Sequence, residues 1–307
     1  MKIAVFFGVY EAEKAFASQT LEQMLSILKD HSVHVLIMDD ASQSKIGRTL
    51  VQKFGGLPHV TFEILRNEVS SGFRGAMDRT LTAYRHLANL DVAFDSIIRL
   101  DADLFFNRTD ISKIFDPIFL PAKGLVGSAV RFRFRDFVQV LADLLPIGFR
   151  RKKIAGTIEH SWELKRTRAV WWADLGFKAL RNGFRWTFLT GSFQIMGGST
   201  LAELKARGWL DRRPLEGHGL VFGEDVMTSI LVKALNHPLI DLDSIIVDWD
   251  CDLAINKYDS DWRTVQAKKL YLVHPLKGDE WSMEMRGILS AIQIKGPDSK
   301  VTTPALS

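Results

Sequence analysis

The 307-residue chain contains a single cysteine, Cys251, so no intrachain disulfide framework can form. It has no run approaching the roughly 18 apolar residues of a membrane span. No cationic segment followed by a long apolar stretch opens the sequence. These absences predict a reducing, cytoplasmic setting. The glycine-spaced nucleotide loops are missing too. There is no G-x-x-x-x-G-K-[ST], no G-x-G-x-x-G after the first apolar run, and Gly72 and Gly75 in "SSGFRGAM" do not supply that spacing. P-loop and dinucleotide-dehydrogenase chemistry therefore find little support. Acidic residues are outnumbered: a net charge of +4 and a pI near 9.1 suit an anionic ligand, a nucleic acid or an anionic lipid surface.

What is present is a core of ordinary size, at 47% hydrophobic and 25% charged residues. "KIAVFFGVY", "HVLIMDD", "HVTFEILRN" and "SIIRLDAD" are short runs rich in β-branched or aromatic residues, without clean alternation, as expected of strands buried on both faces. Between them, "EAEKAFASQTLEQMLSILKD" spaces Phe16, Leu21, Met24, Leu25 and Leu28 along one helical face, and "GFRGAMDRTLTAYRHLAN" does the same with Met77, Leu81, Tyr84 and Leu87. Alternating strands and helices predict right-handed βαβ units and a mainly parallel sheet over residues 1 to about 106.

In such sheets ligands bind beyond the carboxyl ends of the strands. The first run ends in Tyr10-Glu11, the second in Asp39-Asp40-Ala41-Ser42 and the fourth in Asp101-Ala102-Asp103. In extended chain Asp101 and Asp103 point to one side, and two convergent carboxylates make a hard-oxygen site for Mg²⁺ or Mn²⁺ completed by water and substrate phosphates. Turns and helix caps use Asp as well. An EF-hand does not fit, because Phe106 stands at the sixth loop position, where the turn needs Gly.

"IAVFFGVYEAEKAFASQTLEQML", "VLIMDDASQSKIG", "RNEVSSGFRGAMDRTL", "IIRLDADLFF" and "FGEDVMTSILVKAL" occur in an order and approximate spacing that resemble glycosyltransferase family 2, the GT-A fold, over most of residues 2 to 236. The resemblance implies an α/β, Rossmann-like sheet and a metal-dependent, inverting transferase using a nucleotide sugar, with a UDP-sugar favoured. It implies a donor half at 1–106 and an acceptor-binding and catalytic half of the same domain at 107–294; residues 295–307, "KGPDSKVTTPALS", read as a loose polar tail. Tyr10 and Asp39 look like contacts to nucleobase and ribose, with Val9, Glu11, Asp40, Gly72, Arg74, Ala102, Gly197 and Gly198 implied around the donor. Asp101 and Asp103 resemble the D-x-D pair that holds the diphosphate through the metal, and Asp225, beside Glu224, resembles the acceptor-activating base. Asp40-Ala41-Ser42 departs from the more usual Asp-Gly-Ser, and Asp78 stands where Asn is common. The Q-x-x-R-W signature of processive synthases is absent, which favours addition of single sugars to a saccharide or lipid-linked acceptor.

Several readings remain beside this one. Glu224 and Asp225 open a predicted helix, where acidic residues complement the dipole in any case, and only one of two neighbours can face a site. His274, before Pro275, could complete a metal's coordination, with Lys277 adding charge, or serve as a structural hydrogen bonder. Gly197-Gly198 allow close approach of a sugar or merely a tight strand-to-helix turn. "RFRFRDFVQVLADLLPIGFRRKKIAG", residues 131–156, reads as an apolar helical stretch with cationic ends, suited to an interfacial helix on an anionic membrane or to packing in the second half. A sugar nucleotidyltransferase and a basic binding module for nucleic acid or sugar nucleotide are the alternatives in function; neither the Gly-rich basic loop of the first nor a recognised motif of the second is present.

Overall fold

In the computed structural model of the chain, the described residues are 1–72, 75–107, 115, 122–131, 147–154, 157–164, 169–185, 187–211, 224–242, 272–273 and 280–295. The first apolar run forms β1 (Lys2–Val9), and its side chains divide between two layers. Ile3, Val5, Phe7 and Val9 enter one hydrophobic cluster, while Ala4 and Phe6 enter another on the opposite face of the sheet. Burial on both faces accounts for the missing alternation.

Helices α1 (Ala17–Ile27) and α2 (Ile46–Phe54) cover the first face; α3 (Ala76–Asn89) covers the second. With β2 (Ser32–Asp39), β3 (Val60–Arg66) and β4 (Ser96–Asp101) they build three parallel pairings in the spatial order β4-β1-β2-β3. The chain then adds β5 (Phe105–Phe106), β6 (Leu125–Arg131), the hairpin β7 (Ile147–Ile154) and β8 (Thr157–Leu164), helix α4 (Ala169–Arg181), β9 (Thr187–Gly197), α5 (Gly198–Ala206), α6 (Glu224–Ala234), β10 (Leu239–Asp241), β11 (Leu272–Val273) and α7 (Glu280–Lys295).

The central sheet is seven-stranded, ordered β10-β6-β9-β4-β1-β2-β3, and β9 alone runs against its neighbours. The fold is therefore α/β with a mostly parallel sheet flanked by helices. Because β2 lies on one side of β1 and β4 on the other, the strand order reverses between β1 and β4, and a crevice opens beyond their carboxyl ends. Tyr10 and Asp101 stand at those two ends.

Two expectations meet a different arrangement. Strand β9 is antiparallel to β4 and pairs Gly197 with Ser96, so Gly197 and Gly198 lie at the amino end of β4, opposite to Tyr10 and Asp101. A Cβ at Gly198 would fall 1.8 Å from the carbonyl oxygen of Phe94. This glycine answers to close packing beneath α5, away from the crevice. In the basic segment 131–156, residues 147–154 form a strand paired with 157–164, where a helical end was expected. Residues 132–146 lie outside the described residues. Among the described residues no helix is long and apolar enough to cross a membrane.

Candidate functional site

A cavity of about 350 Å³ occupies the crevice, and each surrounding element contributes to it for a reason visible in its period. From β1 the side presenting Phe6, Gly8 and Tyr10 lines it; from β4 and the turn after it, Arg99, Asp101 and Asp103 do so, two residues apart each time. Glu13 and Phe16 come from the segment entering α1, Arg79 and Thr80 from α3, and Glu224 from the first turn of α6. A Cβ at Gly8 would meet nothing within 4 Å, so the missing side chain is cavity space. We expect Gly8→Val to leave the thermal unfolding midpoint within about 2 °C while weakening any ligand of this cavity at least tenfold, because a branched side chain would fill that space. Titration calorimetry of the folded variant checks this.

Arg99 organises the wall that carries Asp101 and Glu224. It is 5% exposed, and its Nη2 lies 2.5 Å from Glu224 Oε1 and 3.6 Å from Asp101 Oδ1. Burial works against its charge, yet the two carboxylates outweigh burial and raise its pKa further. Its buried Nη1 has no hydrogen-bond partner among the described residues. A Cβ at Gly191 would come within 2.7 Å of that atom, so the glycine makes room for the guanidinium. Burial also opposes ionisation of Glu224, but Arg99 holds it below the usual carboxylate range. Asp225 has the reverse balance: burial first, then the neighbouring Glu224 charge, push its carboxyl up to about 6. Its Oδ1 accepts from the Val226 N–H at 2.8 Å.

From α3, the Arg79 guanidinium lies 4.8 Å from the Tyr10 ring centre and donates to the Tyr10 hydroxyl. Burial raises the Tyr10 pKa to about 12, with Arg79 opposing, so this residue stays a neutral phenol. Arg79 also pairs with Asp40 at 3.2 Å and donates to Gly72 O at 2.8 Å.

The structure thus brings Tyr10, Asp101, Asp103 and Glu224 together at one cavity. Ala102, buried between the two aspartates, is not among the lining residues, and neither is Asp225. Asp39 and Asp40 face other tasks. Asp39 accepts from Ser42 N at 2.7 Å, Ser42 Oγ at 3.0 Å and Arg66 at 2.9 Å, which fixes the turn into α2. Ala41 in that turn has φ +59°, the left-handed region, which explains why glycine would suit the position. Asp40 accepts from Asn67, Ser70, Ser71 and the Gly72 N–H, holding the loop before α3, and these bonds, with Arg79, outweigh burial and bring its pKa down to about 2. Val9 is buried, its carbonyl accepting from Asp40 N–H, and Glu11 caps Ser44 from an exposed position. Arg74, His274 and Lys277 lie outside the described residues.

Sequence reasoning passed over Arg79 and Arg99. For Arg99 the signal was present: a cation inside the greasy run "SIIRLD" must find counter-charges once both faces are buried.

As to a metal, the donor set fits. Asp101, Asp103 and Glu13 are hard oxygen donors lining one cavity. Among the described residues no group of three or more metal-binding side chains is gathered, so an ion here would take further ligands from substrate and water.

No protein-family model matches the chain, and no curated protein matches it. Among solved structures it is similar to the galactosyltransferase LgtC in complex with donor and acceptor sugar analogs, at 12% identity over 94% of this chain and 96% of that one, with a TM-score of 0.47. It is similar to the bifunctional glycosyltransferase WbbM, at 10% identity, 89% and 45% coverage and a TM-score of 0.46, so it spans less than half of that protein. A third likeness is to the mannosyltransferase PcManGT from Pyrobaculum calidifontis in complex with GDP-Man and Mn²⁺, at 14% identity, 96% and 75% coverage and a TM-score of 0.42. At these scores the likenesses carry no argument about this chain, and the chemistry rests on its own side chains.

Proposed function

We propose that the chain is a glycosyltransferase of the GT-A type, moving one sugar from a nucleoside-diphosphate sugar to a hydroxyl of a saccharide or lipid-linked acceptor. The observation that carries this reading is the meeting of Asp101 and Asp103 with Tyr10 in one cavity at the reversal of strand order, with the acidic first turn of α6 across it. A cavity holding Glu13, Asp101, Asp103 and Glu224 against Arg79 and Arg99 is too acidic for a bare diphosphate. Mg²⁺ or Mn²⁺ held by Asp101 and Asp103 would supply positive charge where the leaving diphosphate becomes negative.

The chain's own groups then divide the work. Tyr10 and the apolar lining at Phe6 and Phe16 offer a surface for the base. Glu224 is committed to Arg99 and kept ionised, which makes it a weak base. Asp225, raised to about 6, is matched to proton abstraction near neutrality. Lying next to the lining residue Glu224 and outside the lining itself, it takes the acceptor proton from an acceptor that reaches past Glu224, as the acceptor oxygen bonds to the anomeric carbon; the bond from that carbon to the diphosphate oxygen breaks, and its electron pair leaves with the nucleotide. Attack from the face opposite the leaving group inverts the anomeric centre.

The test is calorimetric titration of UDP, GDP, dTDP and CDP, each with and without Mn²⁺, into the wild type and Asp103→Ala. We expect one nucleotide to bind in a metal-dependent manner, at least a hundredfold more weakly in the variant. Absence of binding by every nucleotide would remove the reading.

A further inference from the structure

Helix α1 turns a second face inward. Besides its apolar stripe, its polar residues Gln19, Thr20 and Gln23 lie against the carboxylate turn and helix α7. Thr20 Oγ1 is 2.7 Å from both Ala102 O and Leu104 O, so its single proton serves the two carbonyls that flank Asp103. Gln23 donates to Phe106 O and accepts from Phe106 N–H, each at 3.1 Å.

Arg286 of α7 closes this network from behind and is 2% exposed. Its Nη2 donates to Leu104 O at 3.2 Å, and its Nη1 donates to Gln19 Oε1 at 3.3 Å and Thr20 Oγ1 at 3.4 Å. The guanidinium lies over the Phe16 ring at 4.7 Å and near that of Phe105 at 5.8 Å. Burial lowers its pKa to about 10, against the charges of Asp103 and Glu13, so it stays protonated at neutral pH. A buried cation that binds a main-chain carbonyl, stacks on two rings and interacts electrostatically with Asp103 holds that turn by geometry and by charge together.

We infer that Arg286 is a positioning residue for the carboxylate turn: with Thr20 it fixes the main chain beside Asp103 so that this carboxylate is presented to the cavity. The consequence for metal uptake rests on the functional reading above; the anchoring of the turn does not.

The full chain is compared as wild type, Arg286→Met, Arg286→Lys and Thr20→Val. Hydrogen exchange at the Leu104 and Phe106 amides should quicken at least tenfold in Arg286→Met and less in Arg286→Lys, with β2 and β3 protected as before. Mn²⁺ affinity, read by electron paramagnetic resonance without nucleotide, should fall at least tenfold in Arg286→Met and recover partly in Arg286→Lys. Exchange at those two amides equal to wild type, or quickened equally across the whole sheet, would overturn the inference. If the wild type takes up no Mn²⁺, the functional reading falls while the exchange data still decide the anchor. If Arg286→Met does not fold, Arg286→Lys and Thr20→Val carry the same comparison.

Discussion

Asp225→Asn is expected to make the protein more stable and inactive at once. The carboxyl is raised to about 6 in the folded chain, above its ordinary value, so its ionisation opposes folding. Such a group gives its full stabilising share below its unfolded pKa of about 4 and loses it as pH rises through 6. At pH 7 the wild type therefore carries an ionised, buried carboxylate beside Glu224, and the neutral amide removes a cost on the order of 3 kcal/mol. Denaturant unfolding should show the two proteins nearly equal at about pH 4 and the variant ahead by about pH 7. Sugar transfer should fall by about 10²- to 10⁴-fold, the share general-base catalysis supplies, while nucleotide affinity stays within about twofold. In the wild type, transfer should decline below about pH 6, where Asp225 is protonated and cannot accept the acceptor's proton. Retained transfer in Asp225→Asn, with loss in Glu224→Gln, would move the role of base to the neighbour.

Arg99→Met should do the opposite and cost about 3–5 kcal/mol at pH 7, the usual loss when one member of a buried ion pair is removed. Methionine preserves much of the side-chain length, so the effect isolates charge. Without the guanidinium, Glu224 and Asp101 face each other uncompensated, and the folded-state pKa of Glu224 climbs above its ordinary value. The variant's stability should then be largest at low pH and fall away as pH rises through that new value, measurable as a midpoint that recovers on going from pH 7 to 5. A variant as stable as wild type at every pH would show that Arg99 does not compensate these carboxylates.

What the sequence made legible was local. Strands β1 to β4 and helices α1 and α3 follow from apolar runs and helical spacing, and Asp101 and Asp103 share a side because a strand has period two. What escaped was non-local or directional. Gln19, Thr20 and Gln23 fall outside the apolar face that the spacing marks, and a polar stripe looks the same in sequence whether water or another helix covers it. Nothing near Leu104 announces Arg286, 182 residues away. Asp39 and Asp40 end a strand at the correct edge of the sheet, but their oxygens are taken by Ser42, Arg66 and the 67–72 loop. The direction of β9, which carries Gly197 and Gly198 to the far edge, cannot be read from its own residues.

The side chains of Gln19 and Ser290 meet at 2.8 Å across 271 residues of chain, and β5 pairs with β11. During synthesis the first four strands and the helices between them can close their own contacts early. The turn carrying Asp103 cannot, because its supports at 272–273 and 280–290 have yet to be made. Contacts of such long sequence separation form late and slowly. A nascent chain would therefore pass through a stage with its sheet begun and its ligand-holding corner unfinished, and nucleotide added during translation should be ignored until the last helix docks.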